Sequence, residues 1–194
     1  MQRTLNKKPP LVFPADIAVV RVQAPNYDSY TYHGRHSGSV DGAYSVITVQ
    51  DVEKDEDFQM LRSLPKVEGV APIKRILLDR TLNSDLELRE AAAKLHANLL
   101  LYYTFDTNFD TETRVRPLGV ITLGLFPNKN AKVTSTASAV LMDVNNGYIY
   151  AVVAATSDGN QLTNAWDSDQ TMDDVRQRTE RQAFVKMLQQ FKTE

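Results

Sequence analysis

The chain has 194 residues, 42 % hydrophobic and 24 % charged, and its 22 basic and 24 acidic residues leave a net charge of -2. That length fits one domain with an adequate core, and the even charge balance gives no long-range field for nucleic acid or an anionic membrane surface. With no cysteine, disulfides, thiolate zinc sites and a cysteine nucleophile are excluded, and no apolar run approaches the ~20 residues of a membrane span.

The start, "MQRTLNKKPP", is polar and ends in two prolines, so residues 1–10 read as a linker and 11–194 as a single α/β domain. "DIAVVRVQ" (16–23) is short, β-branched and mostly apolar, as in a strand covered on both faces. "APNYDSYTYHGRHSGSVDGAY" then lacks a period and is rich in turn formers, which makes it a long loop. A second strand is expected over 43–50. A helix over 53–64 follows, with an acidic first turn and Phe58, Leu61 and Leu64 on one face.

"GVAPIKRILL" suggests a strand at 73–78. In "NSDLELREAAAKLHA", Ser84 and Glu87 form a capping-box pattern, and Leu88, Ala91, Ala92 and Leu95 make one stripe, giving a helix over 84–96. The run "NLLLYYTF" from Asn98 is a buried strand, so strand, helix and strand make a βαβ unit with parallel strands. Segments 131–144 and 148–157 flank "NNG", and Asn146-Gly147 suits a type I′ hairpin turn. The last segment predicts a helix over 170–191, capped at Thr171 with Asp174 three residues on. Its buried stripe is Met172, Val175, Thr179, Ala183, Met187 and Leu188. Together these elements predict a mixed sheet: βαβ in the first half, an antiparallel meander in the second, and a long C-terminal helix.

His96 falls where the second helix must turn into a strand, and histidine tolerates the left-handed backbone such a turn uses. It has no serine or cysteine motif to activate, so a structural role is expected. Asp106 and Asp110 share one side of a strand, but four residues separate their backbones by about 13 Å, too far for a glycosidase pair. His33 and His36 have some metal-ligand character, with Asp28 and Asp41 as further donors on the same loop. The bland reading is a polar loop whose Tyr27, Tyr30 and Tyr32 pack or contact a partner. Dinucleotide and Walker glycine motifs and a G-x-S-x-G elbow are absent. In "RPLGVITLGLFPNKN" (116–130), Leu118, Val120, Leu125 and Phe126 would form an apolar contact patch if exposed, or another covered strand if not.

The series "LHANLLLYYTFDTNF", "VITLGLFPN", "TASAVLMDVNNGYIYAVVAATS" and "QTMDDVRQRTERQAF" resembles a group of uncharacterised bacterial envelope lipoproteins that includes the rhombotarget lipoproteins. More distantly it is similar to the α/β domain shared by the amino-terminal region of the Tol-system propeller protein and the curli-secretion lipoprotein. His96 stands where those relatives tend to have glycine. The lipobox cysteine of such a lipoprotein is not in the chain, so the resemblance implies that Met1 replaces a removed leader and that "QRTLNKKPP" is a tether remnant. It further implies the soluble, non-enzymatic domain of a periplasmic, lipid-anchored envelope protein with a binding or assembly role. No cofactor is expected. The partner would be a protein or envelope component, met by Tyr30, Tyr32, His33, His36, Leu118, Val120, Leu125 and Phe126. The alternatives are a metal-dependent hydrolase built on His33 and His36, and an oligomeric secretion subunit.

Overall fold

The computed structural model describes residues 13–23, 45–48, 50–78, 82–113, 129–163 and 168–191. Its elements run in the order β1 (Ala15–Gln23), β2 (Ser45–Ile47), α1 (Asp55–Arg62), β3 (Val67–Pro72), a 3-10 turn (Arg75–Leu77), α2 (Asp85–Lys94), β4 (Leu99–Thr113), β5 (Lys129–Asp143), β6 (Ile149–Thr163) and α3 (Ser168–Gln190). Among the described residues these make one open, mixed sheet of six strands in a single α/β domain, as the residue pattern predicts.

β1 is central. One edge pairs parallel with β4, while the other is divided between β3, parallel along Ala15–Val19, and β2, antiparallel along Arg21–Gln23. β4, β5 and β6 then continue as an antiparallel meander. The βαβ unit β3–α2–β4 is therefore parallel as expected, with β1 lying between its two strands.

Alternation along the strands sorts the core into two layers. Odd-numbered residues of β1, β4, β5 and β6, such as Val19, Leu101, Phe105, Ala139 and Val153, pack against α1 and α3 through Phe58, Leu61, Phe184, Met187 and Leu188. Even-numbered Ala18, Val20, Leu100 and Met142 pack against α2 through Leu88, Ala91 and Ala92. α3 approaches β6 closely at Gly159, where a Cβ would collide with Thr179 Oγ1 and lie 3.2 Å from Val175 Cγ1. That glycine lets the helix sit directly on the strand.

Local chemistry sets the ends of α2. Ser84 Oγ accepts from Leu86 N, and Glu87 Oε2 accepts from Ser84 N at 3.0 Å, closing the predicted capping box. At the other end His96 has φ 60, with His96 N donating to Ala93 O and Ala97 N donating to Ala92 O. These two bonds form a Schellman motif with histidine at the left-handed position. Its side chain is exposed, so the position is a turn, as expected.

Three expectations are corrected. The third strand lies at Val67–Pro72, and 73–78 holds the 3-10 turn; Pro72 cannot donate to a ladder, and Ile73 instead turns inward to the α2 layer at 3 % exposure. The hairpin does not use a type I′ turn. Gly147 N donates to Asp143 O, the Asp143 carboxylate accepts from Asn145 N and Asn146 N, and only Gly147 of the Asn146-Gly147 pair has positive φ. The Asp143 side chain thus organises a four-residue loop, an option a two-residue motif does not reveal. Finally, α3 starts at Ser168, so Thr171 lies inside the helix rather than at its cap.

Candidate functional site

Arg21 is the one cation of β1, and it points to the α3 layer. Burying it requires counter-charges, because an unpaired ion in a low-dielectric interior costs many kcal/mol. α3 supplies Glu180, and sets Arg176 with its own partner Asp173 alongside. The segment before α1 supplies Asp51 and Glu53.

The resulting cluster is tightly wired. Arg21 Nη1 meets Asp51 Oδ1 at 2.7 Å and stands 3.7 Å from Glu53 Oε1, while Arg21 Nη2 stands 3.6 Å from Glu180 Oε2. Arg176 contacts Asp51 Oδ2 at 3.0 Å, Asp173 Oδ1 at 2.7 Å and Glu180 Oε2 at 2.5 Å. Thr107 Oγ1 donates to Glu180 Oε1 at 2.8 Å and is bonded to Ser135 Oγ at 2.9 Å. Tyr103 OH donates to Glu53 Oε1 at 2.7 Å, and the Arg21 guanidinium lies 4.6 Å from the Phe105 ring centre. Beside the cluster, Arg181 pairs with Asp57.

Burial governs the proton affinities here. It pushes Glu180 up from the ordinary carboxylate range, against the Arg176 and Arg21 charges that lower it. Burial, then the Glu53 charge, pushes the Tyr103 phenol well above its usual value. Tyr103 therefore stays a hydrogen-bond donor at physiological pH. The cluster's arginines and acids engage one another, and its hydroxyl groups serve as bonds within it. That is the chemistry of a polar lock between β1, β4 and α3.

One oxygen is left over. Glu53 Oε2 is buried without a hydrogen-bond partner. Glu53 lines a cavity of about 20 Å³ where the β1 edge passes from β3 to β2. Arg21 and Tyr103 share its buried floor, and Thr48, Gln50 and Lys74 stand toward its mouth.

The second feature is a surface. Among the described residues α2 covers the even-numbered sheet face at the Leu100 and Met142 end, with Tyr102 and Val140 packed at its border, and no described helix covers the remainder of β4, β5 and β6, the bare face. Its rows in register are Tyr102, Val140 and Val152; Thr104, Ser138 and Ala154; Asp106, Thr136 and Thr156; Asn108, Thr134 and Asp158. Thr136 Oγ1 bonds Thr156 Oγ1 at 2.8 Å and Thr134 Oγ1 donates to Asp158 Oδ1 at 2.6 Å, which preorders the side chains across strands. Val152 is 62 % exposed in this face.

The residues singled out from sequence fare unequally. Tyr30, Tyr32, His33, His36, Leu118, Val120, Leu125 and Phe126 lie outside the described residues. Asp106 is exposed on the bare face, and Asp110 lies further along the same strand. Among the described residues no three acidic, histidine or cysteine side chains are grouped to hold a metal, and no helix is long and apolar enough to cross a membrane. Sequence reading missed Arg21, Asp51, Glu53, Arg176 and Glu180. The available signal was the arginine inside "AVVRVQ", a strand already read as covered on both faces.

No protein-family model matches the chain, and no curated protein matches it. Among solved structures it is similar to PelC in a dodecamer from Paraburkholderia phytofirmans, at 16 % identity over 90 % of this chain and 92 % of that one, with a TM-score of 0.30. It is also similar to a hypothetical protein from Chlamydia trachomatis, at 11 % identity over 90 % and 95 % of the two chains, with a TM-score of 0.35. Likeness at this level leaves the site to be read from its own residues.

Proposed function

We propose that this chain is a non-enzymatic binding domain of a bacterial envelope lipoprotein, and that a protein partner docks on the bare face of β4, β5 and β6. The observation that supports this reading is the unequal covering of the sheet. The odd-numbered side is sealed by α1 and α3 down to Val133 and Ser135, both at 0 % exposure. The even-numbered side has Val140 and Val152 at one end, hydroxyls in the middle, and Asp106 and Asp158 at the other. A partner complementary to that gradient carries apolar residues against the valines and basic residues against the aspartates. The envelope assignment rests on the sequence resemblance.

The test is site-specific photo-crosslinking in the native host, from Thr136 and Val152, with exposed Glu90 on α2 as the control. A discrete crosslinked protein from the sheet positions alone, lost in Val152→Arg, is the expected result. Equal products from Glu90, or none from the sheet, overturn the docking assignment. Cell fractionation addresses compartment: recovery with membranes, released by detergent and not by salt, is expected, and recovery in the cytosol overturns the envelope assignment. Stoichiometric zinc in tag-free protein, removed by His33→Ala with His36→Ala, replaces the non-enzymatic reading with the metal-dependent one.

A further inference from the structure

The tip of the β5–β6 hairpin carries a reactive pair that neither the charged cluster nor the bare sheet face uses. Asn146-Gly147 is the one place in the sequence where glycine follows asparagine. Glycine sets no Cβ beside its own backbone nitrogen, so in a flexible chain that nitrogen reaches the preceding side chain freely. The reaction is intramolecular. The Gly147 nitrogen loses its proton and attacks the Asn146 side-chain carbonyl carbon; a C–N bond forms, and the side-chain nitrogen takes up a proton and leaves as ammonia. Water then opens the succinimide ring at one carbonyl or the other, which leaves aspartate or isoaspartate at position 146.

In the folded chain both reacting groups are held. Gly147 N donates to Asp143 O at 3.0 Å, so the proton that must leave is already bonded. Asn146 Oδ1 accepts from Tyr148 N at 2.8 Å, so the carbonyl that would receive the attack is engaged with a different amide. The backbone between them is fixed in turn by the buried Asp143 carboxylate, whose Oδ1 accepts from Asn145 N at 2.9 Å and from Asn146 N at 3.0 Å. α2 closes the loop from outside. Arg89 Nη1 donates to Val144 O at 3.3 Å and to Asn145 O at 3.4 Å. Its guanidinium lies over Gly147, where a Cβ would stand 3.5 Å from Arg89 Cζ. Attack requires several of these bonds to break together, so reaction waits on a local opening of the loop.

We propose that Asn146 is a self-modification site of this chain, held shut by Asp143 and Arg89 and converted to aspartate or isoaspartate only when the hairpin tip opens. Water is the co-reactant, and no enzyme takes part. The products loosen the loop that restrained them. Isoaspartate adds a methylene to the main chain ahead of Gly147 and so breaks the spacing that closes the bond from Gly147 N to Asp143 O. Either product also sets a second carboxylate beside that of Asp143, where like charges repel.

The experiment incubates the whole chain at mildly alkaline pH and follows position 146 by peptide mass spectrometry, which separates asparagine from its two acidic products. The same chain unfolded in guanidinium chloride, in the same buffer and at the same temperature, gives the rate without the gate. Conversion in the folded chain is expected to be at least about tenfold slower, because its rate scales with the population of the open loop. Asp143→Ala removes the acceptor for Asn145 N and Asn146 N and should speed folded-state conversion by about tenfold. Asp143→Asn keeps an acceptor oxygen and should stay close to the original rate. Should Asp143→Ala fail to fold, Arg89→Met frees the loop from α2 with Asp143 in place, and it should speed conversion several-fold. Equal rates in the folded and unfolded chain overturn the proposal, as does a folded rate unmoved by Asp143→Ala or, where that variant does not fold, by Arg89→Met.

Discussion

Arg21 on β1 and Arg176 on α3 hold the two oxygens of one carboxylate, Asp51, at 2.7 and 3.0 Å. The bridge ties the first strand to the last helix through a residue that belongs to neither. Its energetic meaning is asymmetric. An intact buried ion cluster adds little net stability, because desolvation offsets attraction, but removing one member leaves the others charged and uncompensated.

Arg176→Met should therefore lower unfolding free energy by about 3–5 kcal/mol, measured by urea denaturation. Asp51, Asp173 and Glu180 all lose a contact in that variant. Arg181→Met is the comparison, since Arg181 has one acidic partner, Asp57, and a side chain 22 % exposed. Its loss should be clearly smaller. Equal losses at the two positions would mean that Arg176 acts through packing of its stem rather than through charge.

The same cluster makes stability depend on pH through Glu180. Burial raises this carboxyl, and Asp51 adds to the rise; Arg176, Arg21 and the Thr107 hydroxyl oppose it. A carboxyl held above its unfolded value binds its proton more tightly in the folded state. Its contribution is thus fully present below the unfolded value, about pH 4, and is lost as pH climbs through the folded value. Glu180→Gln removes that titration. The stability of the Gln variant relative to the original chain should accordingly rise with pH above about 4 and then level off. A difference that stays flat across this window would show that Glu180 binds its proton equally in the folded and unfolded states.

His96 illustrates what local sequence can express. Its φ of 60 lies where glycine is unstrained and other residues are not. His96→Gly should raise stability by up to about 1 kcal/mol, and His96→Val should lower it by about 1–2 kcal/mol, in thermal or urea unfolding. A loss on glycine substitution would indicate that the imidazole itself contributes. The features legible in the sequence share this character. The Ser84 capping box, the stripe of Leu88, Ala91 and Ala92, and the Val175, Thr179 and Ala183 stripe are all decided within one turn or face of a helix.

What escaped sequence reading is decided by partners far along the chain. Arg21 meets Asp51 thirty positions later, and Arg176 meets it from 125 positions away. Helical periodicity recovers the apolar stripe of α3 but is silent about Arg176 and Glu180 beside it, since they are met by Asp51 and Thr107 from distant parts of the chain. The misplaced third strand has a similar origin. "VEGVAP" is weak in β-formers and contains Gly69, yet it pairs because its backbone lies along β1, with the Asp16 carboxylate over the glycine. The bare sheet face is likewise invisible in sequence, because alternation marks two faces without saying which helix covers each.

The β6 edge of the sheet is guarded, and so is part of the β3 edge. On β6, Lys186 Nζ donates to Thr156 O at 3.2 Å and Gln190 Nε2 to Ala154 O at 3.1 Å. Carbonyls two residues apart point the same way, so α3 shields one side of the strand, and the side facing β5 is already paired. On β3, Arg62 Nη2 donates to Val70 O at 2.9 Å. Unshielded, β6 would offer the run "IYAVVAATS", uncharged and free of proline, to any passing strand. Lys186→Ala with Gln190→Ala should leave the fold intact, because both side chains lie on the exposed side of α3. It should instead add concentration-dependent self-association, read as a mass increase above 21.8 kDa multiples of the original chain's state by light scattering. Restoring lysine at 186 alone should reverse most of it, since a charge at a strand edge disfavours pairing more than an amide does. An unchanged mass would mean that β6 is kept from pairing by shape, and that its two capped carbonyls are incidental.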